Sequence, residues 1–231
     1  MKTVFVTGTD TGVGKTHIAA GLARRWRADG VRVGVCKPVE SGCADAAPQD
    51  ATALLAAAQS GQSPDEVCPY RLRAPLAPSE AARLEGVTID FAALIEHIRQ
   101  ISTHFDVLLV EGAGGILVPL TAEKTFLDLA AALSAPTLVV AGNKLGCINH
   151  TLLTVRALST AGVEVAGVVL NDMLAQTTPD MPGNMAVIDS MTPEPVFGVW
   201  PHDAAKDPAR AERTRQAIAE AIRRSLGFRL G

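Results

Sequence analysis

Nine residues near the start of the chain, Gly8-Thr9-Asp10-Thr11-Gly12-Val13-Gly14-Lys15-Thr16, have the types and order of a phosphate-binding loop. The glycines let backbone N–H groups close around phosphate oxygens, and the helix that follows offers its positive end to the same anion. In such a loop the lysine reaches the β- and γ-phosphates and the hydroxyl after it meets Mg²⁺, which sets the expected roles of Lys15 and Thr16. Five residues separate Gly8 from Gly14, one more than the usual pattern, which marks a subclass of loop. A metal-directed carboxylate is expected on a neighbouring strand. Asp106 to Gly115 supplies it: four apolar residues cross the sheet, Glu111 stands at the carboxyl edge, and Gly112, Gly114 and Gly115 then let backbone approach a ligand closely. A third group is Lys37-Pro38-Val39-Glu40-Ser41-Gly42, a lysine fixed in a turn at the end of a short strand. Asp50 stands where a helix begins and reads either as its N-cap or as a second site carboxylate. Two lysines, two carboxylates and a hydroxyl around one edge suit phosphoryl transfer, where catalysis is mostly positioning and charge neutralisation.

These groups need a scaffold that gathers strand ends. Short β-branched runs at 3–6, 32–36, 107–110, 137–141, 165–170 and 196–199 alternate with helical patterns at 16–29, 51–59, 91–103, 126–133, 149–161 and 210–225. That rhythm predicts an α/β fold, a parallel sheet covered by helices on both faces, with ligands at the carboxyl ends of the strands. Residues 61–86 contain four prolines (Pro64, Pro69, Pro75, Pro78) and read as a long ordered excursion. Residues 175–195 read as surface loop with one short helix. A single domain over residues 1–231 is expected. Only 4% of residues are aromatic against 48% hydrophobic, so Ala, Val, Leu and Ile must build the core. A formal charge of −3 leaves no basic excess for nucleic acid. No apolar run approaches a membrane span, and the four cysteines have neither zinc-ligand spacing nor a disulfide framework. With no signal-peptide pattern at the amino terminus, the expected location is cytoplasmic.

Taken together, GTDTGVGKT, KPVESG, VEGAGG, KLGCINH and the Asn171-Asp172 pair resemble the dethiobiotin synthetases of the biotin pathway, from residue 3 to about residue 205. The resemblance implies a P-loop NTPase with a mostly parallel sheet of about seven strands, acting as a homodimer. It implies closure of the ureido ring of dethiobiotin from 7,8-diaminopelargonate, CO₂ and ATP, with Mg²⁺. By motif, Thr11, Lys15 and Lys37 would line the transferring phosphoryl group, with Lys37 the catalytic lysine. Thr16, Asp50 and Glu111 would hold Mg²⁺, and Gly12, Val13, Gly14, Gly112, Ala113 and Gly114 would complete the nucleotide loops. Asn171 and Asp172, with Pro201, His202 and Asp203, would read the base. Ser41 would sit beside the diamine, and the helix start Gly146, Cys147, Ile148, Asn149 would receive the substrate carboxylate from the partner subunit. One departure is Pro75-Leu76-Ala77-Pro78-Ser79, where the family often has His in place of Ser79.

Two other readings share the loop. A partition or cell-division ATPase of the deviant P-loop group usually carries an extra lysine near the loop start, and Gly8 to Gly14 contain none. A regulatory domain that binds nucleotide without turnover would not need Lys15, Lys37, Asp50 and Glu111 together. The arginines of 210–224 alternate with Glu212 and Glu220 and read as a solvated helix face.

Overall fold

The computed structural model describes residues 2–43, 47–173, 181–204 and 207–227. In chain order the elements are β1 (Lys2–Gly8), α1 (Lys15–Ala28), β2 (Val33–Cys36), β3 (Val39–Ser41), α2 (Gln49–Ala58), α3 (Pro64–Val67), β4 (Tyr70–Leu72), α4 (Pro78–Glu85) and α5 (Phe91–Ser102). They continue with β5 (Val107–Gly115), α6 (Phe126–Leu133), β6 (Thr137–Gly142), α7 (Cys147–Thr160), β7 (Val165–Asn171), α8 (Asn184–Met191), β8 (Val196–Trp200) and α9 (Pro208–Leu226).

The main sheet has the order β2-β5-β1-β6-β7-β8 and every pairing in it is parallel. Its six strands are those read from the apolar runs. The figure of about seven is corrected. Pro38 has no N–H for a ladder, so the chain leaves the sheet edge after β2, and β3 pairs with β4 in a separate two-stranded parallel sheet. The excursion thus contains α3, β4 and α4, none of which periodicity announced. The edge of β2 is closed by a side chain instead of a strand. The buried Gln62 amide accepts from Val35 N–H and donates to Val35 C=O, both at 2.9 Å.

Alternating β1 residues serve opposite faces, as a period of two requires. Val4 and Val6 pack with α1, α2 and α9 residues, while Phe5 packs under α5 and α6. Trp26 and Trp200 are the anchors of the first face. The Trp26 indole donates to Ala219 C=O at 3.1 Å, and α1 comes so close to Trp200 that a Cβ on Gly21 would strike its ring. The terminal helix buries Ala211, Ile218, Ala219, Ile222 and Leu226. One of its arginines does not face solvent alone: Arg215 turns back and donates to Pro201 C=O at 3.0 Å and to Asp203 at 2.8 Å. The short helix expected in 175–195 is α8; residues 174–180 lie outside the described residues. Among the described residues no helix is long and apolar enough to cross a membrane.

Candidate active site

The strand order decides which side chains can meet. Lys37 follows β2, Glu111 lies on β5, and the loop from Gly8 to Thr16 follows β1; these three strands are neighbours, so their carboxyl ends share one stretch of edge. β5 extends beyond the four apolar residues, and Glu111 still pairs with Val6 across the sheet, which leaves its side chain fully buried. The loop glycines take the left-handed conformation at Gly12 (φ 72°) and Gly14 (φ 91°), and Gly14 passes directly into α1, which has no side-chain cap. Uncapped N–H groups at a helix start are an anion site.

At the centre, the Lys37 ammonium donates to Glu111 Oε1 at 2.6 Å, to Asp50 Oδ2 at 2.8 Å and to Gly112 C=O at 3.3 Å. Thr16 Oγ1 donates to the same Glu111 oxygen at 2.8 Å. Burial alone would lower the Lys37 pKa, but the Glu111 and Asp50 carboxylates outweigh it and push it above its ordinary value. The Asp50 carboxyl is opposed in the same way: burial raises it, and Lys37, with the Thr16 hydroxyl, brings it below its ordinary value. Lys15 is buried, and among the described residues its ammonium donates only to Asp10 C=O, at 3.3 Å. Desolvation, reinforced by the Lys37 charge, lowers it to about 8.

Asp50 is not the helix N-cap. Pro48 holds that position and carries no capping side chain. The capping comes from β3, where the buried Glu40 carboxylate accepts from Asp50 N–H at 3.0 Å and Ala51 N–H at 2.9 Å. Composition gave no sign of this, because the partners are ten residues apart with no periodic relation.

Thr16, Asp50 and Glu111 therefore bring a hydroxyl and two carboxylates together. Glu111 Oε2 is buried and has no hydrogen-bond partner among the described residues. Hard oxygen donors and an orphaned carboxylate oxygen fit Mg²⁺, which is usually held by one or two carboxylates plus substrate phosphates. Among the described residues no cluster of three or more His, Cys, Asp or Glu forms a self-sufficient metal cage.

A cavity of about 800 Å³ opens over this group, lined by Thr11, Gly12, Gly14, Lys15, Thr16, Lys37, Ser41, Asp50, Ala113 and Gly114 among the expected residues. Glu40, His17, Val118 and the turn from Pro75 to Pro78 complete it. Ser79 instead heads the first turn of α4, where its N–H meets Pro119 C=O at 3.2 Å, and lines a separate groove. A smaller cavity of about 210 Å³ adjoins the loop, lined by Gly12, His17, Asn171, Asp172, Met173, His202 and Asp203. Pro201, expected beside the base, does not line this cavity; its C=O accepts from Arg215. Val13 is buried behind the loop, and its C=O accepts from Asn171 Nδ2 at 3.0 Å. Asp172 accepts from Asn143 Nδ2 at 2.8 Å, and Asn143 in turn accepts from Asn184. Gly146, Cys147, Ile148 and Asn149 open α7 as expected, with Gly146 at φ 89° and no side-chain cap, but they do not line either cavity of this chain.

A glycine loop at the end of a central strand, in a sheet whose partners are all parallel, defines a P-loop NTPase, and solved structures agree on the fold. MinD of Pyrococcus horikoshii complexed with Mg-ADP superposes with a TM-score of 0.62 at 18% identity, covering 97% of this chain and 98% of its own. MinD in the MinC:MinD complex of Aquifex aeolicus gives 0.59 at 16% identity, covering 100% and 98%. At such identities the likeness shows the fold alone. A protein-family model described as an AAA domain matches residues 2–210. Whole-length relatives are closer. The ATP-dependent dethiobiotin synthetase BioD of Anaeromyxobacter dehalogenans (strain 2CP-1) is 45% identical over 218 residues, 94% of this chain and 97% of its own. That of Bacillus subtilis (strain 168) is 38% identical over 202 residues, 87% of each. The chain belongs to the dethiobiotin synthetase family, and it is an enzyme of the ligase class.

Proposed function

We propose that the protein makes dethiobiotin from 7,8-diaminopelargonate, CO₂ and ATP, as a cytoplasmic homodimer that uses Mg²⁺. The observation that carries this is the Lys37 ammonium joining Asp50 and Glu111 beside the phosphate loop, at the floor of a cavity that also holds Ser41. Thr11, Gly12, Gly14 and Lys15 hold the phosphates, with Val13 behind them; Ala113 and Gly114 line the same cavity, and Gly112 joins the site through its C=O, which accepts from Lys37. Mg²⁺, held by Thr16, Asp50 and Glu111, supplies charge neutralisation at the phosphoryl oxygens.

Asn171 supports adenine as the base. Val13 C=O can only accept, so the amide must present its Nδ2 there, and Oδ1 is left buried without a partner. Asn171 lines the small cavity, and an acceptor left unspent in that wall suits the exocyclic amine of adenine better than the carbonyl of guanine. His202 and Asp203 close that cavity from the other side, and Asp172, held by Asn143, borders it. The dimer reading rests on α7. Its uncapped start lies outside this chain's own cavity, and the exposed Leu145 and Leu153 give that region an apolar surface for a second copy. Gly146, Cys147, Ile148 and Asn149 then present backbone N–H groups to the substrate carboxylate across the interface.

The chemistry proceeds in balanced steps. One amine adds to CO₂ and loses a proton, giving a carbamate. A carbamate oxygen attacks the γ-phosphorus as the bond to the ADP oxygen breaks. The second amine attacks the carbonyl carbon of this carbamic–phosphoric anhydride, closing the urea and expelling phosphate with the bridging oxygen. Lys15 and Lys37 offset the negative charge of the transferring group. Ser41 orients the diamine from the cavity wall. The test is phosphate release measured with diamine and bicarbonate supplied together and singly. The synthetase releases phosphate only with both; a partition-type ATPase turns over without the diamine and responds to DNA or membrane, and a binding module releases none.

The depressed Lys15 has a pH consequence. Its folded pKa of about 8 lies below the ordinary 10.5, so between these values the unfolded chain binds more protons, and the ligand-free fold gains stability from this group as pH rises. A polyphosphate favours the ammonium and reverses the balance. ADP binding at pH 8.5 should take up a proton, and affinity should fall with pH above about 8, by at most about tenfold per unit. Calorimetry in buffers of different ionisation enthalpy measures the uptake; heats independent of the buffer would contradict it.

A further inference from the structure

We infer that Glu40 is a positioning residue for metal binding: its carboxylate, clasping the first turn of α2, sets the direction in which Asp50 presents its own carboxylate to the site. The inference rests on the reading of Asp50 as a magnesium ligand.

Three observations carry it. Glu40 is 7% exposed, yet no lysine, arginine or histidine pairs with it among the described residues; its two oxygens are spent on Asp50 N–H and Ala51 N–H. A buried carboxylate without a cation is costly, and here the positive end of a helix and two N–H donors compensate it. Second, α2 begins with Pro48 at its N-cap and no side-chain cap of its own, so Glu40 supplies what local sequence does not. Third, the clasped residue is the one whose side chain meets Lys37 at 2.8 Å, while Glu40 itself lines the same cavity. β3, which carries Glu40, is in turn fixed by its ladder with β4, where the backbone of Glu40 lies in register with that of Arg71. The β3–β4 sheet therefore has a purpose that the main sheet cannot serve: it is the rigid mount from which α2 is aimed. Ser41, next along β3, lines the same cavity, so one three-residue strand places both the proposed diamine contact and the support for a metal ligand.

A rotation of the first turn of α2 would carry Asp50 away from Thr16 and Glu111 without disturbing the phosphate loop. Nucleotide binding without metal should then be untouched, and metal-dependent binding should weaken. The test uses Glu40→Gln, which keeps shape and one acceptor but turns an NH₂ group toward an N–H donor, with Asp50→Asn as benchmark. Two quantities are read on the full chain: the affinity of a fluorescent ADP analogue with and without Mg²⁺, and the Mg²⁺ concentration giving half-maximal synthesis. Replacing a residue that orients a metal ligand typically costs about 10-fold or more in metal affinity. Glu40→Gln should raise the half-saturating Mg²⁺ about 10-fold, leave metal-free ADP affinity unchanged, and add nothing when combined with Asp50→Asn. If Asp50→Asn shifts the Mg²⁺ dependence and Glu40→Gln does not, the inference is wrong while Asp50 keeps its role. If neither shifts it, the reading of Asp50 fails and the inference with it. If Glu40→Gln lowers the melting temperature and all activities together at an unchanged Mg²⁺ midpoint, Glu40 is only a helix cap and the inference is overturned.

Discussion

Lys37→Ala should lower turnover by about 10²- to 10³-fold, the loss expected when one preorganised donor to a transferring group is removed, while changing ADP affinity only a few-fold. The asymmetry follows from position. In the proposed mechanism Lys15 and the loop N–H groups hold the phosphates in the ground state, whereas Lys37, which stands over the carboxylates at 2.6 and 2.8 Å, meets the charge that develops during transfer. The same substitution has a structural cost. Glu111 is fully buried and one of its oxygens already lacks a partner, so losing its cation leaves an uncompensated charge, worth about 3–5 kcal/mol. The ligand-free variant should therefore melt at lower temperature, and Mg²⁺ with ADP should restore much of the loss by replacing the missing positive charge. Steady-state kinetics on the metal-saturated variant, with melting curves with and without Mg-ADP, separates the two effects. Near-normal turnover would remove Lys37 from the chemistry.

Gly14→Ala should abolish nucleotide binding, by about 100-fold or more, whereas Gly12→Ala should weaken it only about fivefold, the cost of roughly 1 kcal/mol of left-handed strain at a non-glycine residue. Both glycines have positive φ, 72° and 91°. What differs is the space: a Cβ on Gly12 meets nothing within 4 Å, and one on Gly14 runs into Asn171 Nδ2. Asn171 cannot retreat without giving up Val13 C=O, which would then be buried and unpaired. The substitution thus disturbs the phosphate loop and the base cavity together. Equilibrium binding of ADP to both variants checks the ranking, and equal losses would contradict it.

The parts of the site that sequence disclosed are those in which one residue type at one spacing has one use. The glycine loop and Lys37 before Pro38 each follow a strand end, Glu111 comes after four apolar residues within β5, and parallel strands share an edge. The folding of neighbouring strands β2, β5 and β1 then brings these groups within hydrogen-bond reach. What sequence hid depends on side chains reaching backbone over long separations. Gln62 closing the edge of β2, Asn171 bracing Val13, Arg215 gripping Pro201 and Glu40 capping α2 have no periodicity to betray them. The β3–β4 pair was hidden for another reason: strands of three residues are too short to show alternation, and the prolines around β4 read as loop. Asp50 illustrates the difference between place and role. Its position at a helix start was plain, but only the structure shows that another residue caps that helix and leaves Asp50 for Lys37.

The central claim is that a carbamate oxygen, not water, attacks the γ-phosphorus above Lys37. Isotope tracing tests it most directly. With diamine, ATP and freshly dissolved ¹⁸O-labelled CO₂ in ordinary water, the phosphate released should carry one labelled oxygen from CO₂, delivered when the anhydride is opened by the second amine. Phosphate that carries no label from CO₂ would mean that its new oxygen comes from water by simple ATP hydrolysis, and would contradict the account.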